Sequence, residues 1–171
     1  TDENKYLSKL YDGGMTEKIF YKQLASRTRA EAYRDVVLEE LAPLFVGKSG
    51  LFDHSWSARG QAARLYRTEV VREPERLTQA GDGYCWLKGW AYMVRTPDNQ
   101  GLIAEIEGGI KKEVSVGCSM GRSVCSVCGA ENGACGHAKG QMYGGKLCFM
   151  ELKDPKDAYE WSFVAVPAQP R

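Results

Sequence analysis

No apolar run in this chain approaches the roughly 18–20 residues that a helix needs to cross a bilayer; pieces such as Phe163-Val164-Ala165-Val166 are the limit. A membrane span is not expected. An excess of either charge sign is missing as well. The 23 Lys+Arg face 22 Asp+Glu for a formal charge of +1, which removes the electrostatic footprint of a dedicated nucleic-acid binder. The opening Thr1-Asp2-Glu3-Asn4-Lys5 lacks the apolar stretch of a secretory signal, so the chain reads as intracellular. Internal repeats and low-complexity tracts are absent, and 171 residues with 43% hydrophobic and 26% charged content fit one core. Histidine occurs only twice, which makes the search for an imidazole base short.

Cysteine is unevenly spread. Five of six crowd between Cys118 and Cys148, and Cys85 stands alone. The clustering of five beside a lone sixth favours a metal, with disulfide pairing as the competing reading. Cys125-Ser126-Val127-Cys128-Gly129 is a C-x2-C-G knuckle: two thiolates converge on one ion, and the glycine permits a turn that aims backbone amides at sulfur. Cys135-Gly136-His137 then offers a thiolate and an imidazole, and Cys148 a further thiolate. Tetrahedral zinc takes four ligands, first Cys125, Cys128, Cys135 and His137, with Cys148 replacing Cys135 or His137 as the alternative. A site with four protein ligands leaves no position for substrate. Its Zn2+ is structural, stapling residues 118–148 as an insertion too small to hold a core. Only Arg122, Lys139 and Lys146 lend charge nearby, so binding of nucleic acid by the knuckle is disfavoured.

Residues 1–47 read as helical. A short helix is expected near 16–26, carrying Ile19, Phe20 and Leu24 as a docking arm, and Thr28-Arg29-Ala30-Glu31 has the spacing of a capping box. Tyr33, Val36, Val37, Leu41 and Leu44 then form an apolar stripe, closed by Pro43 and Gly47. From Gly60 the period becomes two. In 83–94, Tyr84, Trp86, Trp90, Tyr92 and Val94 share one face and Cys85, Leu87, Ala91 and Met93 the other, the pattern of an interior strand whose aromatics serve as core. Residues 62–71 and 159–166 also read as strands, and 99–107 as a helix stopped by Gly108-Gly109. The class is α+β.

His137 belongs with the cysteines, which leaves His54, in the polar and aromatic loop Gly50-Leu51-Phe52-Asp53-His54-Ser55-Trp56-Ser57. In Glu113-Val114-Ser115-Val116-Gly117 an extended backbone puts the two valines on one face and Ser115 on the other. Near the C-terminus, Tyr159, Trp161, Phe163 and Ala165 share a face, opposite Glu160 and Ser162. A hydroxyl, an imidazole and a carboxylate are thus available; serine becomes a nucleophile only when a base takes its proton, and the base needs an acceptor to fix its tautomer.

Three segments resemble tailed-phage prohead maturation proteases, serine proteases with an assemblin-like fold: Leu44-Phe45-Val46-Gly47-Lys48-Ser49-Gly50 through Phe52-Asp53-His54, Gly109-Ile110-Lys111-Lys112-Glu113-Val114-Ser115-Val116, and residues 157–168. The likeness runs from about residue 36 to 171, and a zinc-knuckle insertion between the serine strand and the final strand is similar to one in a subset of that family. It implies a small β-barrel with flanking helices over 28–171; residues 1–27, which read as a helical arm, depart from the leading strand of the family. It also implies Ser115 as nucleophile, His54 as general base and then acid, and a third residue orienting His54. Assemblins use a second histidine there; with His137 at the zinc site the role falls to Glu160, since Asp53, next to His54 in an extended segment, points away from the ring. The implied activity is serine endopeptidase action on capsid or scaffold protein, and on the chain itself, inside the prohead in the cytoplasm of an infected bacterium. Partners would be the major capsid protein and scaffold segment, with self-association open, and neither membrane nor nucleic acid. The competing reading is a zinc-stapled assembly protein of the capsid without catalysis.

Overall fold

A computed structural model describes residues 15–22, 31–78 and 80–166, with 15–22, Glu31 and Ala32 described by backbone alone. The chain runs β1 (Met15–Lys22), β2 (Glu31–Tyr33), α1 (Asp35–Phe45), β3 (Ser49–Phe52), β4 (Ala63–Leu77), β5 (Gly83–Val94), α2 (Gln100–Glu107), β6 (Val114–Cys125), β7 (Met142–Tyr143), β8 (Lys146–Leu147) and β9 (Met150–Phe163). It is a mixed α+β fold. Seven strands form one sheet in the order β1-β5-β4-β3-β9-β2, with β6 also paired to β9. Two antiparallel hairpins, β4–β5 and β6–β9, supply most of it. Short β3 joins them, antiparallel to β4 and parallel to the end of β9.

The expected barrel is not formed. Among the described residues β1 hydrogen-bonds only to β5 and β6 only to β9, so the sheet stays open. Over 16–22 the expected helix is replaced by β1, antiparallel to β5 with Met15 opposite Val94 and Lys22 opposite Leu87, and 23–26 lie outside the described residues. An available sheet edge outweighs a weak helical period over eight residues, because each backbone group gains a partner there. Residues 15–22 of the expected helical arm are therefore strand, and residues 1–14 and 23–27 lie outside the described residues.

The capping box does not start α1 either. Thr28 lies outside the described residues, Glu31 belongs to β2, and the helix begins at Asp35 after Arg34, without a side-chain cap. Its buried stripe is Val37, Leu38, Leu41, Ala42 and Phe45, whereas Val36 is exposed. The buried face is turned by about one position relative to the expected stripe, set by packing against β5, α2 and β9. Pro43 sits in its last turn, and Gly47, at φ +84°, ends it as expected. Leu38, Leu41 and Phe45 are all but inaccessible, each burial gaining about 1.5–3 kcal/mol. They meet Cys85, Leu87, Ala91 and Met93 of β5, Ile103 and Ile106 of α2, and Val114, Trp161 and Phe163 in one core. The opposite face of β5 is also covered: Tyr84 and Trp86 pack with Val71, Trp86 Nε1 donates to Glu73 at 2.8 Å, and Arg67 lies 4.3 Å over the Trp90 ring. The interior-strand reading of 83–94 therefore agrees with both faces.

Two further boundaries move. The strand expected at 159–166 runs Met150–Phe163, and an extra residue at Tyr159 opposes the Gly117–Cys118 step. That bulge takes Tyr159 off the face of Trp161 and leaves it 43% exposed. Cys118 to Cys125 are strand β6 of the main sheet, so the insertion proper is 126–149, carried on the tip of the β6–β9 hairpin. No helix among the described residues is long and apolar enough to cross a membrane.

Candidate active site and metal centre

Register decides what faces what. In the β6–β9 ladder Val114 lies opposite Phe163 and Val116 opposite Trp161, whereas Ser115 lies opposite Ser162 and Gly117 opposite Glu160. Directly opposed residues project to the same side of an antiparallel pair. Trp161 and Phe163 enter the core with the valines, and Ser115, Ser162 and Glu160 share the other face. All three are buried, at 5%, 0% and 3% exposure.

His54 reaches that face from the turn after β3. Its Nδ1 lies 2.6 Å from Glu160 Oε1. An ionised carboxylate only accepts, so Nδ1 carries the proton, and in the neutral imidazole Nε2 presents the lone pair. The ring remains 40% exposed while the carboxylate is buried, which suits a base that must meet a substrate. Asp53 and His54 adopt left-handed backbone conformations, φ 50° and 55°, a sparsely populated region for non-glycine residues. Backbone donors hold the turn: Asp53 N to Phe163 O at 3.0 Å and Ser55 N to Phe52 O at 2.9 Å. Asp53 is exposed and makes no hydrogen bond to the His54 ring. Of the three expected residues, His54 and Glu160 are in direct contact and Ser115 shares their face. No hydrogen bond joins Ser115 Oγ to His54.

Gly117 explains itself in this register. A Cβ there would collide with Glu160 Oε1, so the position must be empty for the carboxylate to lie across the strand. Gly117→Ala is expected to displace Glu160, detach it from His54 and cost about 1–3 kcal/mol of stability. Denaturant unfolding reads the stability, and the NMR chemical shifts of the His54 ring read the lost contact.

The second cluster lies at the hairpin tip. One ligand atom each of Cys125, Cys128, Cys135 and His137 lies within 4.8 Å of the others. These four can hold a metal ion. Cys125 Sγ stands 3.7 Å from His137 Nδ1, close to the about 3.5–3.8 Å edge of a tetrahedron built with zinc–ligand bonds of about 2.0–2.3 Å. Cys148 Sγ is 3.9 Å from Cys125 Sγ but lies outside the mutually close set. Backbone amides of Cys128 and then Val127 hold the Cys125 thiol down to about 6 against the opposing effect of burial, as expected of a C-x2-C-G turn. For Cys135 the His137 amide works downward, but burial and the neighbouring Cys128 and Cys125 groups prevail and raise it. Burial first, and then the hydrogen bond with Cys125, pushes Cys148 up. In the metal-free protein the Cys125 contribution to stability is complete above the ordinary thiol value of 9.0 and is gone once pH falls through about 6.

The neck of the insertion is closed by Ser126, whose Oγ donates to Leu147 O at 2.8 Å and accepts from Phe149 N at 3.0 Å. The Tyr143 ring packs edge-on against His137 with centroids 4.6 Å apart. None of the six cysteines is in a disulfide, and Cys118 sits apart in β6 with Tyr33 Oη 3.8 Å from its sulfur.

Sequence reasoning overlooked Ser162. Its hydroxyl donates to Glu160 Oε2 at 2.7 Å and accepts from His54 N at 3.1 Å. Its shared face with Glu160 was the only available signal, and alternation alone does not say what a strand face meets. Comparisons of the chain with protein-family models, with curated proteins and with solved structures find no match.

Proposed function

We propose that the chain is a serine endopeptidase of the prohead-protease type, acting on capsid or scaffold protein and on itself, with Ser115, His54 and Glu160 as its triad. The observation that carries this reading is the 2.6 Å contact between His54 Nδ1 and buried Glu160, on the strand face that Ser115 shares. Glu160 fixes the tautomer, Nε2 receives the Ser115 proton, and the protonated ring then gives it to the leaving amine. Acyl transfer through an acyl-enzyme follows. A cleft of about 350 Å³ lies against Glu160, walled by Leu51, Trp56, Gln61 and Tyr159, and offers room for a substrate side chain. The prohead context comes from the resemblance of the three segments. The metal cluster enters this reading as a structural zinc site that holds the hairpin tip and takes no part in the reaction.

The test uses a fluorophosphonate. Ser115 Oγ attacks phosphorus, fluoride leaves, and His54 takes the hydroxyl proton, so peptide mapping should place the adduct on Ser115. Glu160→Gln keeps size while removing the charge and is expected to slow labelling by about 100-fold, short of the roughly 10⁴-fold loss where a triad depends fully on its carboxylate. Asp53→Asn should leave the rate near wild type. The reverse order would transfer the third role to Asp53; equal, unchanged rates would leave a Ser115–His54 dyad; absence of any Ser115 adduct would favour the non-catalytic assembly protein.

A further inference from the structure

Two serines face each other across the β6–β9 ladder, and their surroundings differ. Among the described residues no hydrogen bond engages the Ser115 hydroxyl. The Ser162 hydroxyl, with 0% exposure, uses both of its functions: it donates to Glu160 Oε2 and accepts from the backbone N–H of His54. The other carboxylate oxygen, Oε1, is the one that meets His54 Nδ1. One oxygen atom therefore ties together the carboxylate, the backbone of the histidine and strand β9.

We infer that Ser162 is a positioning residue that clamps the His54–Glu160 pair, an inference that rests on the protease reading for its catalytic consequence. A carboxylate held by one contact can rotate about its terminal torsion; held at both oxygens it cannot. The His54 turn needs similar restraint, because Asp53 and His54 both occupy left-handed backbone conformations that persist only where surrounding bonds over-determine them. The bond from His54 N to Ser162 Oγ falls on that strained residue. Ser162 touches no reacting atom; it sets where Nε2 points.

The experiment compares wild type, Ser162→Ala and Ser162→Thr in the full chain, each checked for fold by circular dichroism and thermal unfolding. Fluorophosphonate inactivation separates the maximal rate, kinact, from the half-saturation concentration, KI. In parallel, ¹⁵N NMR reads the His54 tautomer, with His54→Ala assigning the signal. Ser162→Ala is expected to lower kinact by about 10- to 100-fold with KI unchanged, and to replace one Nδ1–H tautomer by an averaged pair. Ser162→Thr, which keeps the hydroxyl, is expected to restore both. If Ser162→Ala does not fold, Ser162→Cys keeps the volume with a weaker donor and carries the same expectations. A wild-type kinact and unchanged tautomer in Ser162→Ala would overturn the inference, as would equal defects in the alanine and threonine variants. A wild type that forms no Ser115 adduct, yet whose His54 tautomer depends on Ser162, would sink the protease reading and leave the clamp standing.

Discussion

Ser115→Ala is expected to abolish processing of a co-expressed capsid precursor, and of the chain itself, while leaving the protein folded and metal-loaded. The substitution deletes one oxygen from a position that is 5% exposed, and among the described residues that oxygen has no hydrogen-bond partner whose loss would leave a buried group unpaired. Stability should therefore stay within about 1 kcal/mol of wild type. Catalysis has no such reserve. Without a nucleophile only water remains, and removal of the serine from an efficient triad costs on the order of 10⁶ in turnover. Gel analysis of the precursor over time, beside a melting curve of each purified protein, separates the two effects. Processing by Ser115→Ala at the wild-type rate would remove Ser115 from the mechanism.

Removal of metal is expected to have the second-largest effect, confined to the hairpin tip. Purified protein should carry about one zinc per chain, released by a strong chelator or by acid as thiolates and imidazole are protonated. The apolar cluster at the tip contains only Cys125, Cys148 and Met150, with Val127, Cys135 and Tyr143 against it. Such a cluster is small for ordering residues 126–149, and an ion held by Cys125, Cys128, Cys135 and His137 would supply the restraint. The main core, from α1 to β9, is a separate cluster and should survive. Hydrogen exchange after chelation is expected to rise sharply over 126–149 and little over 83–94 or 157–163, and Cys125→Ser should mimic chelation. Metal-free protein with full protection at the tip would refute a structural zinc site.

These expectations draw unevenly on sequence and structure. The ligands of the tip are legible in the chain because thiolates and an imidazole at knuckle spacing converge through local turns, and Gly129 at φ +73° provides one. Strand β5 is legible because alternation over 83–94 is long and strict. The core-facing valines around Ser115 are legible for the same reason. The N-terminal strand is not: Met15–Lys22 carries no dominant period, and its state is decided by the β5 edge 65 residues or more away in sequence. The start of α1 was misread because Glu31 is claimed by β2, whose partner is Met150.

By itself the sequence determined the chemistry available: one free imidazole, a serine set against core-facing valines, a carboxylate on the last strand, and a set of soft ligands between two strands. Local spacing and side-chain type suffice for that. Only the tertiary structure decided which of these meet. The register of β6 on β9 put Ser115 and Glu160 on one face, a left-handed turn after β3 delivered His54 to the carboxylate, and Ser162 was recruited to hold both. Those outcomes depend on long-range strand pairing, in which a one-residue slip of β6 would turn Ser115 toward the core and away from Glu160.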